Sequence, residues 1–199
     1  DVVLVVADTN NTKALTCCGS LRTHLAKKLD LKLEGYKFLW IVEFPFFEYD
    51  EESGTWLAMH HPFTSPLDEC LEYLERDKGN VRAKCYDLVL NGIELASGSI
   101  RITDPALQSR MFRLLGLSDE EAHEKFGYLL DAFRYGAPPH GGMGLGLDRL
   151  VMQMLGCESL RDVIAYPKVQ NASELMTSCP APVDADQLKI LHIATETEE

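Results

Sequence analysis

The chain has 199 residues, 46% hydrophobic and 25% charged, enough for one large core or a core with an appended piece. Its formal net charge of -12 argues against broad binding to nucleic-acid phosphate, which needs a basic face, while leaving room for one local basic strip. No run approaches the roughly 18 apolar residues of a membrane span and no charged-then-apolar leader opens the chain, so a cytoplasmic protein with no membrane partner is expected. Residues 2–7 are continuously apolar and stop at Asp8-Thr9-Asn10-Asn11, the pattern of a buried strand and a turn. A strand under way at the first residue, with no initiator Met, reads as part of a longer polypeptide. Leu15, Cys18, Leu21, Leu25 and Leu29 then recur at three- and four-residue steps, which predicts an amphipathic helix of about five turns.

The next strand is expected over residues 38–42, ending where Pro45 removes a ladder donor. The aromatic cluster Phe44, Phe46, Phe47 and Tyr49 reads as core. A polar turn at residues 50–54 and a short returning strand at 56–59 predict an antiparallel hairpin. That strand runs into His60-His61-Pro62; adjacent histidines on extended chain face opposite ways and do not readily share a metal, but they suit a cleft at a strand end. Residues 67–74 are expected to form a short helix or turn, and 76–84 a polar connection carrying local positive charge. The alternating run from Cys85 ends in Asn91-Gly92, the strongest short hairpin signal in the chain, and a second strand follows over residues 93–102.

Glu94 and Arg101 lie on that second strand an odd number of residues apart, so a regular strand puts them on opposite faces. A bulge in the small-residue run Ala96-Ser97-Gly98-Ser99 brings them to one face. Pro105 then opens a helix with Leu107, Met111, Leu114 and Leu115 as its stripe. Ser118 to Glu121 form a capping box for a second helix that buries Ala122, Phe126, Leu129, Leu130 and Phe133. Glycines at 141, 142, 144 and 146 make a strand of small residues, leading to Asp148-Arg149 and a helix over 147–155 closed by Gly156. Such a stretch lets backbone approach a ligand closely and aims one guanidinium at it. A short strand is expected over 162–168, helix over 172–175 and 185–193, and a fraying acidic tail from 195. The six cysteines form no C-x-x-C pair and read as reduced, packed thiols.

His60, His61, Glu94, Arg101 and Arg149, with the glycine backbone, are thus expected to share one surface. Two fixed guanidiniums suit carboxylate or phosphate, and Glu94 beside polyphosphate makes sense chiefly through Mg²⁺. There is no G-x-x-x-x-G-K-[ST], no G-x-G-x-x-G in a strand–turn–helix context and no nucleophile elbow. Catalysis by positioning and charge stabilisation is the expectation.

Gly142-Met143-Gly144-Leu145-Gly146-Leu147-Asp148-Arg149 resembles motif 3 of the class II aminoacyl-tRNA synthetases. With Met59-His60-His61-Pro62-Phe63-Thr64, Arg82 to Gly92, Gly98-Ser99-Ile100-Arg101-Ile102 and Asp162 to Lys168, nearly the whole chain is similar to the bacterial-type aspartyl-tRNA synthetases. The resemblance implies an α/β (α+β) fold, part of the class II catalytic fold, with mostly antiparallel sheet flanked by helices. It implies that Arg101 grips the side-chain carboxylate of L-aspartate with His60 and His61, and that Glu94 holds Mg²⁺ and the ATP phosphates. It implies further that Arg149 meets adenine and the terminal phosphate, with Gly146, Leu147 and Asp148 shaping the ATP pocket. Ala96-Ser97 stand where the family usually has two glycines, and Thr103 where it often has His.

The family's anticodon-binding barrel, its dimer-forming motif 1 and its motif 2 arginine have no counterpart in these residues. Residues 1–33, including Gly19-Ser20-Leu21-Arg22, resemble the tail of the domain inserted between motifs 2 and 3, and 34–199 the C-terminal part of the catalytic domain. The resemblance therefore implies half an active site, inactive alone, from a homodimeric ligase that charges tRNA. Two other readings fit the same residues: a truncated binding or regulatory module, and a relative of the ammonia-using asparagine synthetase.

Overall fold

The computed structural model describes residues 2–31 and 34–195. The chain divides into two compact units, Asp1–Lys37 and Phe38–Glu199. In the first, helix α1 spans Asn11–Lys28; the Asn10 side chain caps it by accepting from the Lys13 backbone N at 3.1 Å, and Lys27 and Lys28 close its last turn. Cations there complement the carbonyl end of the helix dipole. Two expectations fail in this unit. Residues 2–7 form no strand, and Val2, Val3 and Val5 are exposed, because no second strand lies within the unit, among the described residues, to pair with them. The α1 stripe is not buried either: Leu21 and Leu25 are partly covered, and Leu15 is 73% exposed.

The second unit is built on a four-stranded antiparallel sheet in the order β1-β4-β5-β6, with β1 at Phe38–Val42, β4 at Cys85–Leu90, β5 at Ile93–Ile100 and β6 at Gly141–Leu145. Asn91 and Gly92 both have positive φ, 50° and 84°, as a two-residue turn matched to the strand twist requires. The separate hairpin of β2 (Phe47–Asp50) and β3 (Thr55–Ala58) forms as its turn residues predict. Beneath it, Phe46, Phe47, Leu74, Val81, Ile102 and Met111 are buried in one cluster. Each such apolar side chain contributes about 1.5–3 kcal/mol relative to exposure. Phe44 packs on this cluster, whereas Tyr49 is half exposed.

Helices α2 (Pro105–Leu114) and α3 (Asp119–Arg134) lie between β5 and β6 in the chain. The capping box is present in full: Ser118 Oγ accepts from Glu121 N and the Glu121 carboxylate accepts from Ser118 N. Phe112 and Phe126 stack with centroids 5.4 Å apart, joining α2 to α3. Arg110 forks onto the Glu75 carboxylate, which ties α2 to the loop before β4. Helix α4 (Leu147–Leu155) packs on β5 and ends at left-handed Gly156, with φ 68°. Of α3's expected buried set, only Ala122 is buried, joined by Gly127; Leu129, Leu130, Phe126 and Phe133 are partly covered at most.

Residues 67–74 contain a 3-10 turn at Asp68–Cys70. The expected strand over 162–168 is absent; Leu160–Asp162 is a 3-10 turn, Pro167 has no backbone donor, and Lys168 alone makes an isolated bridge, to Glu174. Residues 172–175 are bridged, not helical: Glu174 pairs with Lys168 and Cys179. The last helix, α5, is shorter than expected, Ala185–Ile190. The acidic tail from residue 196 lies outside the described residues. All six cysteines are free; Cys70 and Cys85 are packed inside, but Cys17, Cys18 and Cys179 are exposed, so packing explains only part of the set. Among the described residues, no helix is long and apolar enough to cross a membrane.

Candidate active site

The cavity side of the sheet depends on one irregularity. Leu88 pairs with Ala96 but Val89 pairs with Glu94, so Leu95 is an extra residue on β5. This bulge turns Glu94 onto the face that carries Ser97, Ser99 and Arg101. It sits just before the run 96–99 in which it was expected, and Leu95 and Ala96 are both buried in consequence.

At one end of this face Arg101 leaves β5 into an isolated bridge with Thr64, and its backbone N donates to His140 O at 3.1 Å. Its Nη1 lies 2.6 Å from His61 Nε2 and 3.0 Å from Nδ1, so an unprotonated ring nitrogen accepts from the guanidinium. Burial lowers the His61 pKa below its ordinary 6.5, and the charges of Arg101 and His60 lower it further. Thr64 Oγ1 lies 3.3 Å from the ring and Ser99 Oγ 3.4 Å. His60 turns elsewhere and packs edge-on against Phe44 at 5.2 Å. Both histidines nevertheless line one cavity of about 500 Å³ with Arg101, Ser97, Ser99, Gly142 and Gly144.

At the other end Arg149, in the first turn of α4, donates through Nη1 to Glu94 O at 2.6 Å and to Glu94 Oε1 at 3.2 Å. Gly146 N donates to Leu95 O at 2.8 Å, which fixes where α4 starts. A Cβ at Gly146 would stand 3.2 Å from Leu95 O, whereas Cβ positions at Gly142 and Gly144 open onto empty space. No glycine from 141 to 146 has a positive φ, so this run is extended strand whose glycines serve closeness, not turning. Leu147 and Asp148 follow at the exposed start of α4. Glu94, Gly146, Leu147, Asp148 and Arg149 therefore form a second, open end outside the walls of the 500 Å³ cavity.

Two further residues of this face and cavity carry no clear sequence signal. Asp87 pairs with Ser97, on the same face as Glu94, and its Oδ1 is buried with no hydrogen-bond partner. Such an atom costs about 1–3 kcal/mol or more unless something meets it. A carboxylate inside the alternation Cys85-Asp87-Val89 was the available signal. His140 also lines the cavity; its Nδ1 lies 2.9 Å from Pro138 O, and its ring packs edge-on against Phe133 at 5.8 Å.

Comparison with known proteins gives consistent matches. Residues 12–170 match a family model described as tRNA synthetases class II (D, K and N). The chain is 57% identical to an aspartate–tRNA ligase of Ruminiclostridium cellulolyticum, over 100% of this chain and 33% of that protein. It is 54% identical to an aspartate–tRNA(Asp/Asn) ligase of Caldanaerobacter subterraneus, over 97% and 33%. The chain thus spans about a third of the length of the curated relatives it matches. Among solved structures, an aspartyl-tRNA synthetase from Entamoeba histolytica superposes with TM-score 0.53 at 22% identity, over 86% of this chain and 29% of that one. An asparaginyl-tRNA synthetase from the same organism, in complex with asparaginyl-adenylate, gives 0.51 at 25%, over 69% and 26%.

Proposed function

The chain belongs to the class II tRNA synthetases of the D, K and N group, and from that premise we propose that it forms the amino-acid and ATP face of an aspartate–tRNA ligase. The observation that carries this reading is the β5 bulge, which sets Glu94 and Arg101 on one face with the glycine strand beside them. Arg101 grips the side-chain carboxylate of L-aspartate, because a guanidinium pairs bidentately with a carboxylate and not with a neutral amide. His61, kept neutral, orients that fork, and His60 closes the pocket. Arg149 and the Gly146-Leu147-Asp148 backbone receive ATP.

A magnesium ion fits the residues present. Glu94 and the Asp87 carboxylate, whose Oδ1 has no hydrogen-bond partner, supply hard oxygen donors on one face; Mg²⁺ takes one or two carboxylates and completes its shell with phosphate oxygens and water. When bound it neutralises phosphate charge. The chain's own part is to hold the reactants in line: an aspartate α-carboxylate oxygen bonds to the ATP α-phosphorus, and the bond from that phosphorus to the pyrophosphate oxygen breaks. Aspartyl-adenylate and pyrophosphate result, and aspartate then passes to the terminal ribose of tRNA. No covalent protein nucleophile is needed, so the gain comes from positioning and fixed charge. Residues 1–33 belong, in this reading, to the tail of a domain inserted between motifs 2 and 3, and 34–199 to the C-terminal part of the catalytic domain. The tRNA contact, the homodimer and the cytoplasmic setting belong to the longer protein.

The test is ATP–pyrophosphate exchange by the full-length protein carrying this chain. Exchange that requires aspartate and does not proceed with asparagine is expected, and none from the 199 residues alone. Exchange that follows asparagine, or that the isolated chain performs at the full protein's rate, overturns the reading.

A further inference from the structure

The glycine strand β6 poses a mechanical problem. Among the described residues it is the edge of the sheet, paired only with β5, and all five of its residues are exposed. On the ligand side Gly142 and Gly144 have no side chain and open onto space. Beyond the ladder to β5, these two glycines offer no side chain on that face to brace the strand, yet residues 141–144 line the cavity.

The reverse face supplies the restraint. Tyr86 of β4 pairs with Gly98 of β5, and Gly98 pairs with Met143 of β6, so the three form one row across the sheet. The Tyr86 ring spans the row above Gly98: a Cβ there would stand 2.8 Å from Tyr86 Cε2, 2.1 Å from Gly142 O and 2.9 Å from Met143 Cα. Having crossed β5, the phenol hydroxyl donates to Gly142 O at 3.1 Å. Trp40 of β1 meets the same ring edge-on, with centroids 6.0 Å apart and planes at 79°. An aromatic side chain laid over a strand glycine is a recognised way to pin register and twist. Here it also reaches a backbone acceptor two strands away.

We propose that Tyr86 is a positioning residue that holds the glycine strand at working height from behind, and that Gly98 is glycine to let it pass. The consequence for chemistry rests on the ligase reading. Arg101 is held by His61 and the Thr64 bridge, so recognition of the amino-acid side chain does not depend on Tyr86. The reacting centre lies between Arg101 and Arg149, against the bare glycines, where a misplacement of about 1 Å can cost on the order of 100-fold.

The experiment is Tyr86→Phe in the full-length protein, which keeps the ring over Gly98 and removes only the hydroxyl. Amide hydrogen exchange in the β6 segment should speed up about fivefold, as loss of one net hydrogen bond implies, with β4 and β5 amides unchanged. The exchange-assay kcat should fall about tenfold while KM for aspartate stays within about twofold. Wild-type β6 protection in the variant overturns the clamp, as does a loss of protection spread evenly over the sheet. Faster β6 exchange with unchanged kcat overturns its role in turnover. A wild-type protein without aspartate-dependent exchange counts against the ligase reading alone, since β6 protection is measured independently of activity.

Discussion

The two guanidiniums of the site are held in opposite ways. Arg101 sits on a strand extension, its backbone bonded to His140 O and its side chain against His61, itself surrounded by Thr64, Ser99 and Phe63 N. Arg149 sits on a helix that starts at a glycine with no side-chain cap, is 40% exposed, and has the backbone and carboxylate of Glu94 as its anchors. An exposed ion pair of that kind contributes about 0–1 kcal/mol, so Arg149 is easily redirected. The stiff end suits discrimination of a small side chain, where misplacement cannot be tolerated. The adaptable end suits a large polyphosphate that brings its own charge and counter-ion.

Substitution at the stiff end should have the largest effect. Arg101→Leu in the full-length protein is expected to lower kcat/KM for aspartate in the exchange assay by roughly 10³-fold or more, since a site built around a fixed charge pair is left with an unmet carboxylate. Thermal unfolding should stay near wild type, because Arg101 faces a cavity. Near-normal kinetics would remove Arg101 from the site. At the adaptable end, Arg149→Lys should cost less, about tenfold and mainly in KM for ATP, because a lysine keeps the charge but loses the fork. A larger loss there than at Arg101 would reverse the comparison.

The difference between the two ends was only partly legible in the sequence. Alternation and Asn91-Gly92 located β4 and β5, and Ser118, Pro105 and Gly156 marked helix ends, because those signals are local. The bulge was required by parity but not located by it. It falls at Leu95 instead of within 96–99 because Gly98 is closed in by Tyr86 and Gly142 and is locked in register with both neighbouring strands. Asp87 went unnoticed because an alternating pattern treats any polar residue as solvent-facing; only the sheet shows that its carboxylate oxygen is buried. In the first unit, the apolar residues 2–7 and the α1 stripe have the sequence pattern of packed elements. Hydrophobicity indicates that a surface is to be covered without naming what covers it, and among the described residues of that unit Val6, Leu21 and Leu25 are only partly covered.

The smallest expected effect concerns what makes the stiff end stiff. His61 accepts from Arg101 only while it is neutral, and burial first, then the neighbouring positive charges, depress its pKa below 6.5. The unfolded chain takes up this proton near 6.5 while the folded site resists it. The contribution of neutral His61 to stability is therefore complete above that pH and is lost as pH falls from it towards the lowered folded value. Once protonated, the imidazolium repels the guanidinium and leaves it without that acceptor. Aspartate affinity of the full-length protein should thus weaken between pH 7.5 and 5.5, by at most about tenfold per pH unit for a single proton. His61→Gln retains an amide oxygen that accepts from Arg101 and has no proton to gain, so its affinity should be flat over the same range. An equally steep pH profile in that variant would mean that Arg101 is oriented by the sheet alone, and that the histidine beside it is a wall of the pocket.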